Sequence, residues 1–207
     1  MDSPKFNNKP NAHVKYYYSD ERGLKVQQDF FVSRATAVVG VVFAYTDDGP
    51  KILISKRSGT MRDEPNKFGL PCGYLDWNET RHEAMIREIY EETSLYLPDY
   101  NKYLLFNNDG EPFKTKDKPE EDKRQNISHL YLTVFDFTIY MEKFPIGVEN
   151  FTCKETALVK WMSLEEFFQT NSKYEWAFNH DETIKAAFVF FNNAYIYNIN
   201  LINDEQD

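Results

Sequence analysis

Cysteine is almost absent from this chain of 207 residues: only Cys72 and Cys153 occur, too few for a disulfide framework and in keeping with a reducing cytoplasm. Long apolar runs are missing as well. No stretch reaches the roughly 18 apolar residues of a membrane span, and the start, M-D-S-P-K-F-N-N-K-P, lacks the apolar core of a secretory signal. Membrane insertion and secretion are therefore not expected. Positive charge is in deficit, with 24 Lys and Arg against 33 Asp and Glu and a formal charge of -9. That balance argues against sequence-independent nucleic-acid binding, which needs basic patches to neutralise phosphates. A small phosphate ligand would need a cation to screen it. What is present suits a packed domain: 42% of residues are hydrophobic and 16% aromatic, which excludes wholesale disorder, and the length favours one core with extensions. No internal repeat is visible.

One stretch organises the rest. From Cys72 to Leu95 the chain reads C-G-Y-L-D-W-N-E-T-R-H-E-A-M-I-R-E-I-Y-E-E-T-S-L. Thr80 with Glu83 forms the pattern of a capping box, so a helix is expected from about Arg81 to Thr93. At about 100° per residue Glu88, Glu91 and Glu92 share one edge of that helix, while Met85, Ile86 and Ile89 share the neighbouring one. One edge packs and the other presents carboxylates. Like charges one turn apart repel by a few tenths of a kcal/mol, roughly, and a bound cation reverses that cost. Arg87 sits beside Glu91 and partly offsets it. Clustered hard oxygens suit Mg2+ or Mn2+, whereas three glutamates alone more commonly form a solvated acidic face. Gly73 permits close backbone approach, which lets the Cys72 carbonyl join the same site.

The spacing Gly73, Glu79, Arg87-Glu88-Ile89, Glu91-Glu92, Leu95 resembles the Nudix box, G-x5-E-x7-R-E-U-x-E-E-x-G-U with U apolar, and departs from it only at Ser94, where the family has glycine. A left-handed residue is expected there, and a Cβ makes it costlier by about 1 kcal/mol. The resemblance implies an α+β Nudix fold, a mixed β-sheet between helices with the box as loop, helix, loop. It further implies metal-dependent hydrolysis of a nucleoside diphosphate linked to another moiety. On that reading Glu88, Glu91, Glu92 and the Cys72 carbonyl hold the metal, Arg87 orients Glu88, and Glu79 holds the loop. Glu88 and Glu155 are rival general bases. Glu155, just upstream of a strand, is placed like the loop glutamate that assists some Nudix hydrolases, and by spacing alone is an ordinary surface acid.

The remaining chain is read as follows. Residues 1–33 form an extension with a flexible start, then one or two strands or a docking arm; Tyr16, Tyr17 and Tyr18 could stack on a base or pack against the core or a second subunit. Ala35 to Tyr45 and Lys51 to Lys56, joined by D-D-G, predict a central antiparallel pair. The loop Arg57 to Gly73 resembles the segment before the box in many Nudix enzymes. Arg57 and Arg62 are candidates for phosphate or ribose, against the plain reading of solvated arginines. Its R-S-x3-R-x3 spacing partly matches coenzyme A pyrophosphatases, with Asn66 where glycine belongs. Tyr103 to Phe106 suggests a short strand, and Asn107 to Asn126 a mobile lid or selecting insertion. Ile127 to Tyr140 is expected as one long strand in which His129 packs. Ala157 to Met162 predicts another strand, with Ser163 capping a helix through Phe168, and a last helix from Asn179–Glu182 to about Phe191. The Nudix domain is thus expected at 34–195 and a polar tail at 196–207.

W-A-F-N-H-D-E-T-I resembles the start of the last helix in ADP-ribose pyrophosphatase relatives, and makes His180 a candidate substrate contact beside the structural reading. ADP-ribose or a related dinucleotide is the preferred substrate, with a homodimer possible by family habit. A non-catalytic nucleotide sensor and an interaction module remain alternatives. Against the sensor, the tail after Phe191 carries no Lys or Arg and every acid of the box is retained.

Overall fold

The computed structural model describes residues 12–118 and 125–204. Strands β1 (Ala12–Ser19) and β2 (Lys25–Val32) form an antiparallel hairpin that is a sheet of its own. Asp20 closes its turn by accepting the N–H groups of Arg22 and Leu24, each at 2.9 Å. Then follow β3 (Thr36–Thr46), β4 (Gly49–Arg57), β5 (Phe68–Gly69), β6 (Cys72–Tyr74) and α1 (Arg81–Thr93). The second half supplies β7 (Leu104–Phe106), β8 (Lys114–Lys116), β9 (Ile127–Asp136), β10 (Thr156–Ser163), α2 (Leu164–Thr170) and α3 (His180–Asp204).

The main sheet runs β10-β4-β3-β9-β7, with β5 beside β4, β6 beside β3 and β8 beside β9. β3 and β9 are parallel and the other pairs antiparallel, so the sheet is mixed, as expected of the fold. The apolar run of β3 is buried on both faces. Val38, Val42 and Ala44 share a core with Ala84, Met85 and Ile89 of α1. Val39, Val41 and Phe43 belong to a second core with Phe167 of α2 and Ile184, Ala187 and Phe191 of α3. Period-2 alternation thus gives each side of the sheet its own helix layer. Gly40 sets the approach of α1, because a Cβ there would lie 2.6 Å from Ile89 Cδ1.

Several boundaries differ from the sequence reading. β9 stops at Asp136 rather than Tyr140, because Asp136 Oδ1 accepts both the N–H and the hydroxyl of Thr138, at 2.9 and 2.6 Å, and turns the chain. The 107–126 insertion is partly ordered: β8 pairs with β9, and Phe113 packs on the second core; residues 119–124 lie outside the described residues. α3 continues past Phe191 to Asp204, since neither Pro nor Gly interrupts it, so the expected polar tail is helical as far as it is described. The start of the chain, where flexibility is expected from the sequence, also lies outside the described residues, which begin at Ala12. Tyr16, Tyr17 and Tyr18 do not pack on the core: all three are exposed, with Tyr16 and Tyr18 stacked on each other at 6.0 Å. Among the described residues no helix is long and apolar enough to cross a membrane.

Candidate active site

The acidic helix begins where the capping box places it. Thr80 Oγ1 accepts the Glu83 N–H at 3.2 Å, and Glu83 Oε2 accepts the Thr80 N–H at 2.7 Å. It ends on Ser94, left-handed at φ 62°, whose N–H donates to the Tyr90 carbonyl at 2.7 Å. The expected glycine conformation is therefore kept without the glycine.

The glutamates differ in their surroundings. Glu92 is only 5% exposed, and its Oε1 accepts the Cys72 N–H at 3.2 Å, which ties the helix to β6. Burial pushes its carboxyl up to about 8, opposed by the Cys72 N–H and by Arg57 and reinforced by Glu88 and Glu155. Glu88 lies against the backbone of Gly73, where a Cβ would fall 2.2–2.5 Å from its carboxyl group. Here the glycine is required by space rather than by its dihedral angles. Burial also raises the Glu88 carboxyl, with Arg87 pulling the other way. Glu91 is the exposed member.

Arg87 fastens these groups together. Its Nε and Nη2 donate to the two oxygens of Glu79 at 3.0 and 2.7 Å, its Nη1 to Glu88 at 2.7 Å and Glu91 at 3.0 Å, and its Nη2 to the Tyr74 carbonyl at 3.0 Å. Glu79, held below the usual carboxylate range chiefly by Arg87, also accepts the Asp76 N–H at 2.7 Å. It thus holds the loop, as expected.

The sheet brings two further candidates to the same edge. Arg57 ends β4 and pairs across to Thr156 of β10, so the neighbouring Glu155 offers its carbonyl to the Ser58 N–H at 2.7 Å. The Glu155 side chain is exposed, and its charge helps to raise both Glu88 and Glu92. Arg57 Nε donates to the Asp63 carbonyl at 3.2 Å, and its guanidinium lies 5.1 Å from the centre of the Phe178 ring. Arg62 stands exposed in the following loop. His180 does not present itself to a substrate. It is buried, its Nδ1 accepts the Leu70 N–H at 2.9 Å, and burial drives it down to about 3, so it is neutral. Its side chain thus ties the start of α3 to the backbone at Leu70. Phe178, two residues earlier, is the half-exposed group at this edge; it carried no signal because a phenylalanine gives no hint of a left-handed backbone.

Among the described residues no three His, Cys, Asp or Glu side chains are gathered as a metal cage, and Arg87 pairs with both Glu88 and Glu91. The donor set nonetheless fits a hard divalent cation. It consists of carboxylate oxygens, two of them in sites where burial and mutual repulsion disfavour the charge that a cation would stabilise.

A family model, the NUDIX domain, matches residues 34–187. The chain belongs to the NUDIX domain family. An ADP-ribose pyrophosphatase of Methanocaldococcus jannaschii is 29% identical over 157 residues, covering 75% of this chain and 73% of the relative. Among solved structures, a mutT/nudix family protein from Listeria innocua is similar with a TM-score of 0.56 and 24% identity, covering 79% of this chain and 97% of that one. The NUDIX domain of Shewanella oneidensis NrtR, complexed with ADP ribose, is similar with a TM-score of 0.53 and 20% identity over 76% of this chain and 88% of that one. Both share the Nudix fold, and α1 with its flanking loops is the Nudix box.

Proposed function

We propose that this Nudix pyrophosphohydrolase cleaves a nucleoside diphosphate linked to a second moiety, ADP-ribose or a related dinucleotide by preference, and that it does so with Mg2+ or Mn2+. The observation that carries the reading is the placement of Glu88, Glu91 and Glu92 on the one helix, with Glu88 seated on Gly73 and held by Arg87 and Glu92 joined to the Cys72 N–H of β6. The M. jannaschii relative supports the choice of ADP-ribose.

A diphosphate repels nucleophiles because it is strongly anionic. A bound divalent cation supplies the neutralising charge and makes water a better nucleophile near neutral pH. Glu88, Glu91, Glu92 and the Cys72 carbonyl are the oxygens that would hold it. The Cys72 N–H fixes Glu92, and Arg87 aims Glu88 while Glu79 keeps Arg87 in place. Glu88 or Glu155 takes the proton of the attacking water, whose hydroxyl joins one phosphorus as the bridging oxygen leaves with the other. ADP-ribose would thus yield AMP and ribose 5-phosphate. Arg57, and Arg62 from the loop beyond it, offer cationic groups to the phosphates. A formal charge of -9 favours a small metal-screened nucleotide over nucleic acid, and with two cysteines the setting we propose is cytoplasmic, away from membranes, with a homodimer possible.

The test is a panel of ADP-ribose, NADH, diadenosine polyphosphates, coenzyme A and nucleoside triphosphates, each with Mg2+, Mn2+ or EDTA. Metal-dependent release of a nucleoside monophosphate from ADP-ribose is expected. Ligand binding without turnover of any compound would discard the enzyme reading for the nucleotide sensor.

A further inference from the structure

We propose that Phe178, backed by Arg57, is the surface on which the substrate's nucleobase stacks; this rests on the nucleoside diphosphate reading above. The first ground is the backbone. Phe178 sits at φ 52° and ψ 28°, followed by Asn179 at φ 55°. Every other non-glycine residue with positive φ among the described residues is Asn, Asp, Glu, Gln or Ser; Phe178 alone is apolar. A left-handed conformation is strained for a residue with a large side chain, and strain of this kind persists where the surroundings over-determine it.

The surroundings do so on both sides. Upstream, the Phe68 N–H donates to the Glu175 carbonyl at 2.9 Å and Phe68 bridges Trp176. Downstream, buried His180 accepts the Leu70 N–H. Ala177 and His180 are 0% and 3% exposed, whereas Phe178 between them remains 40% exposed. Packing alone does not explain a large ring held outward, at the cost of strain, between two buried neighbours.

What the ring faces gives its purpose. The Arg57 guanidinium lies 5.1 Å from its centre, and the His180 ring meets it edge-on at 5.6 Å. Arg57 adjoins Ser58, which binds the Glu155 carbonyl, and its charge reaches Glu92 and Cys72. The ring therefore stands at the border of the catalytic carboxylates, beside a cation suited to phosphate. An aromatic plane next to a guanidinium is the ordinary platform for a purine or pyrimidine base.

The test uses the full chain and two variants, Phe178→Gly and Phe178→Trp, with AMP and ribose 5-phosphate titrated separately by calorimetry in Mg2+. Phe178→Gly is expected to bind AMP about tenfold more weakly or worse, to bind ribose 5-phosphate as wild type does, and to melt no lower than wild type because glycine accepts the left-handed backbone. Phe178→Trp should keep AMP affinity. In turnover, KM for ADP-ribose should rise far more than kcat falls in Phe178→Gly. Unchanged AMP binding in Phe178→Gly, or equal losses for both ligands, would overturn the proposal and leave the ring as a cover over Arg57. Hydrolysis of ADP-ribose by wild type is read independently, so a failed stacking surface is distinguishable from a failed function.

Discussion

The Nudix box and the segment 176–180 meet at Leu70–Cys72, one through the Glu92 contact with the Cys72 N–H and the other through the His180 contact with the Leu70 N–H. In the box, each side chain does what its type and spacing suggest: Thr80 caps, Arg87 clamps, Glu79 holds the loop and the glutamates line one edge. In the segment, roles are exchanged. The polar His180 is buried and structural, while the apolar Phe178 is held outward on a strained backbone. A helix face is fixed by a local period and keeps its meaning in isolation. A segment wedged between a strand and a helix takes its meaning from what it is wedged against.

The comparison can be broken first at the box. Glu92→Gln removes a charge the fold disfavours and one oxygen that would face a metal. Activity should fall about 10²- to 10³-fold, with thermal stability unchanged or raised; a variant that unfolds instead would make Glu92 structural.

His180 sharpens the other side. Its depressed value, about 3 in the folded chain, means that below about pH 6.5 the unfolded chain takes up a proton the folded one refuses. The stability it contributes is full above that pH and is lost as pH falls, by roughly 3 kcal/mol at pH 4. Denaturation midpoints from pH 7 to 4 should show that slope in wild type and a shallower one in His180→Gln. Equal slopes would mean that His180 titrates freely.

Gly73→Ala separates space from backbone. The atoms nearest the added Cβ are those of the Glu88 carboxyl group, the far end of a flexible side chain. Stability should therefore drop by less than about 1 kcal/mol, while activity falls at least tenfold as Glu88 is displaced. A large loss of stability would point to the strand instead.

The smallest effect is expected at the departure from the family pattern. Ser94→Gly at φ 62° should stabilise by about 0.5–1 kcal/mol with activity intact, read from the melting temperature.

Much of the fold was legible because buried strands and capped helices carry their own signals. The D-D-G turn, the run on β3, the capping box at Thr80 and the cap at Ser163 lie where the sequence places them. β8 was hidden because K-T-K is polar and becomes a strand only by pairing with β9. In the site, the box was readable residue by residue. The seating of Glu88 on Gly73 and the inward turn of His180 were not, because both depend on contacts between elements distant in sequence.

Mn2+ binding by electron paramagnetic resonance, compared between wild type, Glu92→Gln and Glu88→Gln and paired with ADP-ribose turnover, tests the central claim most directly. Wild type should bind Mn2+ and release AMP, with both lost together in the variants and turnover abolished by EDTA. Turnover that persists in EDTA, or Mn2+ binding untouched by either substitution, would contradict a metal site on the Nudix helix.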